Sequence, residues 1–341
     1  MTYQGKDYSS YAFRVGSNSW SQQYSDNYDK IFNKKMKIAA YLPHLYCFGG
    51  NRRFIEIGNE FIRRGHEFNL YVDKADSKPN WMEFLGLAED ARDIDFKDLK
   101  EDVLMLGDPS GFERLQKFPG LKLLYLIGGG DYVKQYENYL KENSVNFLVG
   151  NNYWYKPLFK EAHIIVGGVN TDFFKPLNIE KVPNSILFYG RWNSGHLGLN
   201  ELYEQIKGRG HLMAFDQKRY MKDDIEEYSC TTQEQLREVY NKATIFVSAH
   251  NCSGINNTVL EAMACGCPVV TNGIGTDNIT KDGFNALVVP TDKIGETVSM
   301  LLKDPGLQYT LRKNALETVK EYSWKGVVDK ILTLVEPYVR K

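Results

Sequence analysis

The sequence predicts two doubly wound α/β domains facing a shared cleft, on three observations. The chain has 341 residues, more than one ordinary core accommodates and suited to two domains. Short apolar runs of strand length alternate with stretches of helical period in both halves, the signature of a parallel sheet covered by helices. The alternation breaks around residues 172–184, which carry Pro176 and Pro183, and a fresh strand-like run starts at residue 186. The domains expected are an N-terminal extension over 1–35, a first Rossmann-like domain over 36–178, a second over 179–322, and a C-terminal helix over 323–341.

The N-terminal extension is rich in Tyr, Ser, Asn and Asp without a clear period, so it reads as either loose or docked on the body. Order begins at a first strand, 37–42. The following loop ends in Gly49-Gly50, and a helix over about 51–64 has Phe54, Ile57, Phe61 and Ile62 at helical spacing and Gly65 as its stop. Further strands are expected at 68–72, 103–106, 121–127, 146–149 and 164–166. The second domain opens with strand 186–189 and a helix over 199–206. Thr232 caps the next helix, with Gln235 in the capping-box position. Strand 245–247, a short helix from about Thr258 to the Gly266 stop, a strand after Pro268 and another at 286–289 follow. The tail reads as helices over 294–302, 308–319 and 324–335.

Composition excludes several classes. A formal net charge of −1 does not point to a polyanion partner such as nucleic acid. No apolar run reaches the roughly 18 residues of a membrane-spanning helix. The N-terminus lacks the apolar core of a signal peptide. Five scattered cysteines, Cys47, Cys230, Cys252, Cys265 and Cys267, form no C-x-x-C pair, so neither a disulfide framework nor a zinc site is indicated. The compartment expected is cytoplasmic. Lys34, Lys35, Lys37, Arg52, Arg53, Arg63 and Arg64 are open to two readings, a peripheral membrane contact or a solvated face.

Ligands of doubly wound sheets bind outside the carboxyl ends of the strands. The candidate cleft segments are therefore 43–51, 128–131, 191–198 and 250–261. Residues 253–270 are the most informative. They run strand, loop, helix, strand, and set a helix N-terminus with unpaired N–H groups where a diphosphate can bind. Glu261 is the one acid in that helix, and it shares a face with Thr258 and Cys265. It is either a carboxylate for ribose hydroxyls or the mark of a solvated face. Asn256 and Asn257 precede the helix, and Asn257 is the expected N-cap. Gly49-Gly50 is either a close backbone approach to a ligand or an ordinary βα turn. Arg191, directly after a strand, is placed to clamp a diphosphate bidentately. His44, His196 and His250 fall in strand-end loops, where a structural or solvent-facing role is the safer expectation. Cys252 and Ser253 sit in no nucleophile motif.

Several segments together resemble the GT-B fold retaining glycosyltransferases of family 4. Gly49-Gly50-Asn51-Arg52-Arg53, followed by Phe61-Ile62-Arg63-Arg64-Gly65-His66-Glu67, is similar to the family's first βα unit. Gly167-Gly168-Val169-Asn170-Thr171-Asp172-Phe173-Phe174-Lys175-Pro176 is similar to its interdomain segment, and Gly190-Arg191 to its G-R loop. Leu260-Glu261-Ala262-Met263-Ala264-Cys265-Gly266-Cys267-Pro268-Val269-Val270 matches its most characteristic block, and Asp282-Gly283-Phe284-Asn285-Ala286-Leu287-Val288-Val289-Pro290 the segment after it. The resemblance spans about residues 36–335.

The resemblance implies an enzyme that moves a hexose or deoxyhexose from a UDP- or GDP-type nucleotide sugar to a glycan, lipid or other hydroxyl acceptor, with retention and without a metal or other cofactor. It implies that Arg191 holds the donor diphosphate, the helix start at Asn257 and Thr258 adds N–H groups, Glu261 binds the ribose, and Gly49 and Gly50 let the first domain approach. Gly254, Asn256 and His196 complete the expected donor site. It also implies that the C-terminal helix crosses back to the first domain. The sequence departs from the family in three places. Ser253 stands where the first acid of the E-x7-E pair is expected and is carried as a catalytic candidate in its place. His196 occupies the region of the loop lysine. Residues 126–131 offer no counterpart of the first-domain histidine. These departures motivate the alternative, a binding or regulatory protein of the same fold that still takes a nucleoside diphosphate.

Overall fold

The structure, a computed structural model, describes residues 35–46, 49–73, 81–192, 195, 198–216, 222–251, 255–276 and 278–339. Of the residues expected to form the site, His196, Ser253 and Gly254 lie outside that set, as does the N-terminal extension through residue 34.

The chain forms two parallel-sheet α/β lobes facing a cleft. The first sheet has seven strands: β1 (Lys37–Leu42), β2 (Glu67–Val72), β3 (Leu87–Asp90), β4 (Val103–Leu106), β5 (Leu121–Leu126), β6 (Phe147–Gly150) and β7 (His163–Ile164). Their order across the sheet is β3-β2-β1-β4-β5-β6-β7. The second sheet holds β8 (Ser185–Tyr189), β9 (His211–Asp216), β10 (Ile225–Ser229), β11 (Ile245–Ser248), β12 (Val269–Thr271) and β13 (Leu287–Val288), in the order β10-β9-β8-β11-β12-β13. The helices are α1 (Gly49–Arg63), α2 (Phe112–Lys117), α3 (Asp131–Glu142), α4 (Leu199–Ile206), α5 (Gln233–Lys242), α6 (Asn257–Ala264), α7 (Ile294–Leu302), α8 (Pro305–Thr318) and α9 (Trp324–Val339).

The period-2 geometry of a strand distributes each sheet's apolar residues to two faces. Ile38, Ala40 and Leu42 of β1 join one core with α1 and α9, while Ala39 and Tyr41 join the opposite core with Phe96 and Tyr136. In β8, Leu187 enters the core with α5 and α6, and Ile186 and Phe188 enter the one with α4 and α7. Sequence periodicity located most of these strands but missed β3, β9 and β10.

Each sheet reverses winding direction at one point. The chain runs outward from β1 to β3 and resumes at β4 on β1's other side; it does the same from β8 to β10 and resumes at β11. Such switch points open a crevice at the carboxyl edge. The segment from β1 into α1 leaves the first switch point, and the segments after β8 and β11 leave the second.

Two crossings join the lobes, and they run side by side. Val169 in the linker from the first lobe bridges to Ser323 in the returning chain, and its N–H donates to the Tyr322 carbonyl at 2.8 Å. Beyond Ser323, α9 lies on the first lobe. Trp324, Val327, Val328, Ile331 and Val335 enter the core that contains α1. Arg64 adds an ion pair to Asp329 at 2.5 Å and a hydrogen bond to the Lys325 carbonyl at 2.9 Å.

Of the basic residues considered for a membrane contact, Arg52 and Arg53 are covered, whereas Lys35, Lys37 and Arg63 stay exposed. Arg53 is 1% exposed, Arg52 is largely covered, Arg64 is tied to Glu60 and Asp329, and Lys35 and Lys37 pair with Glu67. Lys34 lies outside the described residues. No helix among the described residues is long and apolar enough to cross a membrane.

Candidate functional site

The first half of the site is the start of α1. The helix begins at Gly49, two residues earlier than periodicity suggested, so the double glycine forms its first turn. The reason lies in what surrounds it. A Cβ on Gly50 would stand 3.1 Å from Cδ1 of Ile127, and one on Gly107, after β4, would stand 2.8 Å from the same atom. Asn51, 6% exposed, ties the preceding loop to the helix: its amide donates to the carbonyls of His44 at 2.9 Å and Tyr46 at 2.8 Å. His44 stacks on Tyr46 with ring centroids 4.7 Å apart, which supports a structural role for it.

The second half is α6. Asn256, not Asn257, holds the N-cap position, and its side chain caps no backbone N–H of the helix. That side chain is engaged elsewhere. Its amide donates to the Ser248 hydroxyl at 2.8 Å and approaches Nε2 of His250 at 3.4 Å, and its carbonyl oxygen accepts from Thr258 at 2.6 Å. Asn256 thus locks the loop leaving β11 instead of the helix it precedes, and the α6 N-terminus keeps N–H groups that no side-chain cap satisfies. The helix stops at Gly266, whose φ of 70° favours glycine.

The two halves meet. A Cβ on Gly49 would lie 3.2 Å from the Asn257 side-chain nitrogen, so the glycine turn of the first lobe faces the helix start of the second. One turn further along both helices, Arg52 donates to Oε1 of Glu261 across the cleft. Oε2 of Glu261 accepts from the Tyr240 hydroxyl at 3.1 Å. Glu261 is 3% exposed, so the solvated-face alternative is excluded. Burial pushes its carboxyl up, and the Arg52 guanidinium and the Tyr240 hydroxyl oppose that push. Arg52 also lies over the Trp81 ring, 5.7 Å from its centroid.

Arg191 follows β8, the strand beside β11, so it leaves the same edge of the sheet as the loop before α6. Its Nη2 donates to Asp216 at 3.1 Å, and its guanidinium lies 5.2 Å from the Tyr189 ring centroid. Asp216 ends β9, and its side chain is 4% exposed. A guanidinium fork is the geometry that matches carboxylate and phosphate oxygens bidentately.

The site therefore brings together Gly49, Gly50, Asn257 and Glu261, with Asn256 and Thr258 bracing the loop and Arg191 on the adjacent strand end. The residues that sequence reasoning missed are Arg52, Tyr240 and Asp216. Among the described residues, no group of three or more His, Cys, Asp or Glu side chains is arranged to hold a metal.

The fold has counterparts among solved structures. Sucrose-phosphate synthase from Thermosynechococcus elongatus superposes with a TM-score of 0.74 at 15% identity, covering 89% of this chain and 99% of that one. An Anabaena protein, HepE, in complex with UDP-glucose superposes with a TM-score of 0.71 at 10% identity, covering 89% and 100%. At such identities the likeness is one of fold, and it is the GT-B fold. Residues 183–304, the bulk of the second lobe with α6 and Arg191, match the family model described as glycosyl transferases group 1.

The second lobe matches the group 1 glycosyl transferases.

The chain is 25% identical over 186 residues to the N,N'-diacetylbacillosaminyl-diphospho-undecaprenol alpha-1,3-N-acetylgalactosaminyltransferase of Campylobacter jejuni, across 49% of this chain and 48% of that protein. It is 30% identical over 143 residues to the mannosylfructose-phosphate synthase of Agrobacterium fabrum, across 40% of this chain and 29% of that protein. These matches span about half, or less, of the curated relatives' own length. The first lobe is therefore described by its fold and its own residues.

Proposed function

We propose that the protein transfers a hexose or deoxyhexose from a UDP- or GDP-type nucleotide sugar to a glycan, lipid or other hydroxyl acceptor, with retention at the anomeric carbon and without a metal. The observation that carries this is the meeting of the Gly49 turn with the start of α6 at the facing switch points of the two sheets. The donor lies on the second lobe, its diphosphate against the α6 N–H groups and the Arg191 guanidinium, and its ribose against Glu261. Fixed positive groups at the departing diphosphate stabilise the charge that develops there, which lowers the barrier to breaking the sugar's C1–O bond. The acceptor enters from the first lobe, whose glycine turn allows close backbone approach. Closing the lobes excludes water from the reacting centre. The Campylobacter relative, whose name carries a lipid-linked acceptor, and the HepE complex with UDP-glucose both favour this choice of substrates.

A second function, nucleotide binding without transfer, is favoured by one observation: Ser253 stands where the resemblance expects the donor-side acid.

Incubation with a panel of UDP- and GDP-sugars, with and without hydroxyl acceptors, separates the two. Transfer predicts release of the free nucleoside diphosphate from at least one donor, and weaker diphosphate affinity in Arg191→Ala. A thermal shift with a nucleoside diphosphate but no release from any donor supports the second function. Neither release nor shift with any nucleotide defeats both.

A further inference from the structure

Glu261 in this structure is not open to a ribose. Both carboxylate oxygens are in use, one by Arg52 from the opposite lobe and one by Tyr240, and the residue is 3% exposed. A nucleotide that takes Glu261 must therefore move Arg52. The guanidinium stays charged at any physiological pH, so it needs another anion when it leaves.

Four residues further along α1 is Glu56. It lies on the same helix face as Arg52, at the spacing where oppositely charged side chains pair. Glu56 is 3% exposed, and no hydrogen bond or ion pair joins its carboxyl to any described residue. It borders a cavity of about 270 Å³ between α1, linker residues 169–172 and the start of α9. Its carboxyl opens onto that cavity, and the surrounding burial penalises its charged form.

We propose that Arg52 has two seats: it holds Glu261 across the cleft in the empty protein, and it crosses to Glu56 when a nucleoside diphosphate takes Glu261. This rests on the proposed function only in assigning the ribose to Glu261. Arg52 is then a positioning residue that keeps the ribose carboxylate buried and paired until the nucleotide arrives.

The exchange moves a proton. In the empty protein, burial pushes the Glu56 carboxyl up to about 7, so near neutrality much of it is protonated. The charged groups facing it are known. Arg52 and Arg63 on its own helix pull it down, while Glu60 on that helix and Glu261 across the cleft push it up. Asp172 of the linker and Lys325 of α9 line the far side of the cavity, 3.4 Å from each other. When Arg52 arrives, the ion pair favours the carboxylate, the O–H bond of Glu56 breaks, and its proton leaves to solvent through the cavity. Binding therefore releases a proton below the resting value, and the release fades as pH rises above it.

The test is calorimetry of the whole protein with UDP and with GDP, in buffers of different ionisation enthalpy, comparing wild type with Glu56→Gln. Glutamine mimics the protonated carboxyl, so the substituted protein keeps the resting packing, and the nucleotide's own phosphate titration is common to both proteins and subtracts. At about pH 6.5 wild type is expected to release roughly half a proton or more in excess of Glu56→Gln, and at about pH 8.5 no excess. Glu56→Gln also loses the second seat, so its nucleotide affinity is expected to fall about fivefold at the higher pH. In an Arg52→Met background, Glu56→Gln is expected to change the proton count no further. Equal proton release and equal affinity in wild type and Glu56→Gln would overturn the exchange while leaving nucleotide binding intact. Failure of both nucleotides to bind would instead overturn the ribose assignment on which the exchange depends.

Discussion

Two helices face each other across the cleft, and they are built in opposite ways. The second lobe's α6 has eight residues, apolar along most of its length, with Glu261 as its one charge. The first lobe's α1 has fifteen residues and buries polar and charged side chains throughout: Asn51, Arg53, Glu56, Asn59 and Glu60 are all covered. The neighbours explain the contrast. One side of α6 packs on its own sheet and the other on α5 and α8, so only the face that meets the cleft has use for a charge. Helix α1 is enclosed by its sheet, by α9 returning from the second lobe and by α6, and those neighbours bring their own polar groups. A lone charge in an apolar helix points to a site directly. Several charges in an enclosed helix form a network whose purpose only the contacts reveal.

The largest expected effect tests whether the single charge of α6 depends on the network of α1. Glu261→Ala combined with Glu56→Gln removes both carboxylates proposed to seat Arg52 in a largely covered place. Breaking a buried pair by removing one partner costs about 3–5 kcal/mol. Urea unfolding of the double variant should show a loss of that size together with loss of nucleotide affinity, with Glu261→Ala alone losing less, and a loss under about 1 kcal/mol in the double variant would mean that the pair is effectively solvated. Next in size is Arg53, whose guanidinium lies 5.1 Å from the Tyr125 ring centroid and 5.7 Å from that of Trp324, and which donates to the Tyr125 hydroxyl at 3.1 Å. Arg53→Ala opens a cavity where α1, β5 and α9 converge, at an expected cost of about 3 kcal/mol. Arg53→Met keeps most of the volume and should cost about 1 kcal/mol. Equal losses from the two substitutions would show that charge, not packing, is what Arg53 contributes. Smaller again is Tyr240→Phe, which removes the hydroxyl on Oε2 of Glu261 and nothing of the ring. A hydrogen bond to a charged group contributes about 1.5–3 kcal/mol, so a thermal-unfolding loss near the lower figure is expected, with Arg52 still in place.

The same contrast explains what could be read in advance. Period-2 and period-3.6 patterns revealed the two doubly wound sheets, because strands such as β1 and β4 are apolar on both faces and bounded by glycine or proline. The strands that escaped notice give no such signal. β3 reads Leu-Ala-Glu-Asp and β10 reads Ile-Glu-Glu-Tyr-Ser, both sheet edges whose acids face water. β9 carries a short apolar run that also suits a buried helix segment. In the site, Glu261 was legible as the odd residue in its helix. Arg52, its partner, is 209 positions away in the chain and sits among Asn51, Arg53 and Glu56, which together resemble a solvated face. Asp216 was hidden for a related reason: it ends a strand that the pattern did not reveal. Pairings between lobes leave no period in a sequence, because neither partner's neighbours need to change to suit the other.

The smallest expected effect is on stability alone, and it separates the backbone's part in the site from that of the side chains. Gly50 lies in the first turn of α1, where alanine is a better helix former by up to about 1 kcal/mol. Against that gain, the new Cβ would stand 3.1 Å from the terminal carbon of Ile127, close enough that the isoleucine must shift by a few tenths of an ångström. The two terms nearly cancel, so Gly50→Ala should unfold within about 0.5 kcal/mol of wild type. Its consequence is expected in binding. If the glycine turn serves close approach of the first lobe to the donor, the added methyl group should weaken nucleotide-sugar affinity by about threefold or more, whereas nucleoside diphosphate affinity, which the proposed function assigns to α6 and Arg191, should change less. Equal weakening for both ligands would assign the turn to the diphosphate. No weakening for either would reduce Gly50 to an ordinary βα turn and leave the recognition of the donor to the second lobe.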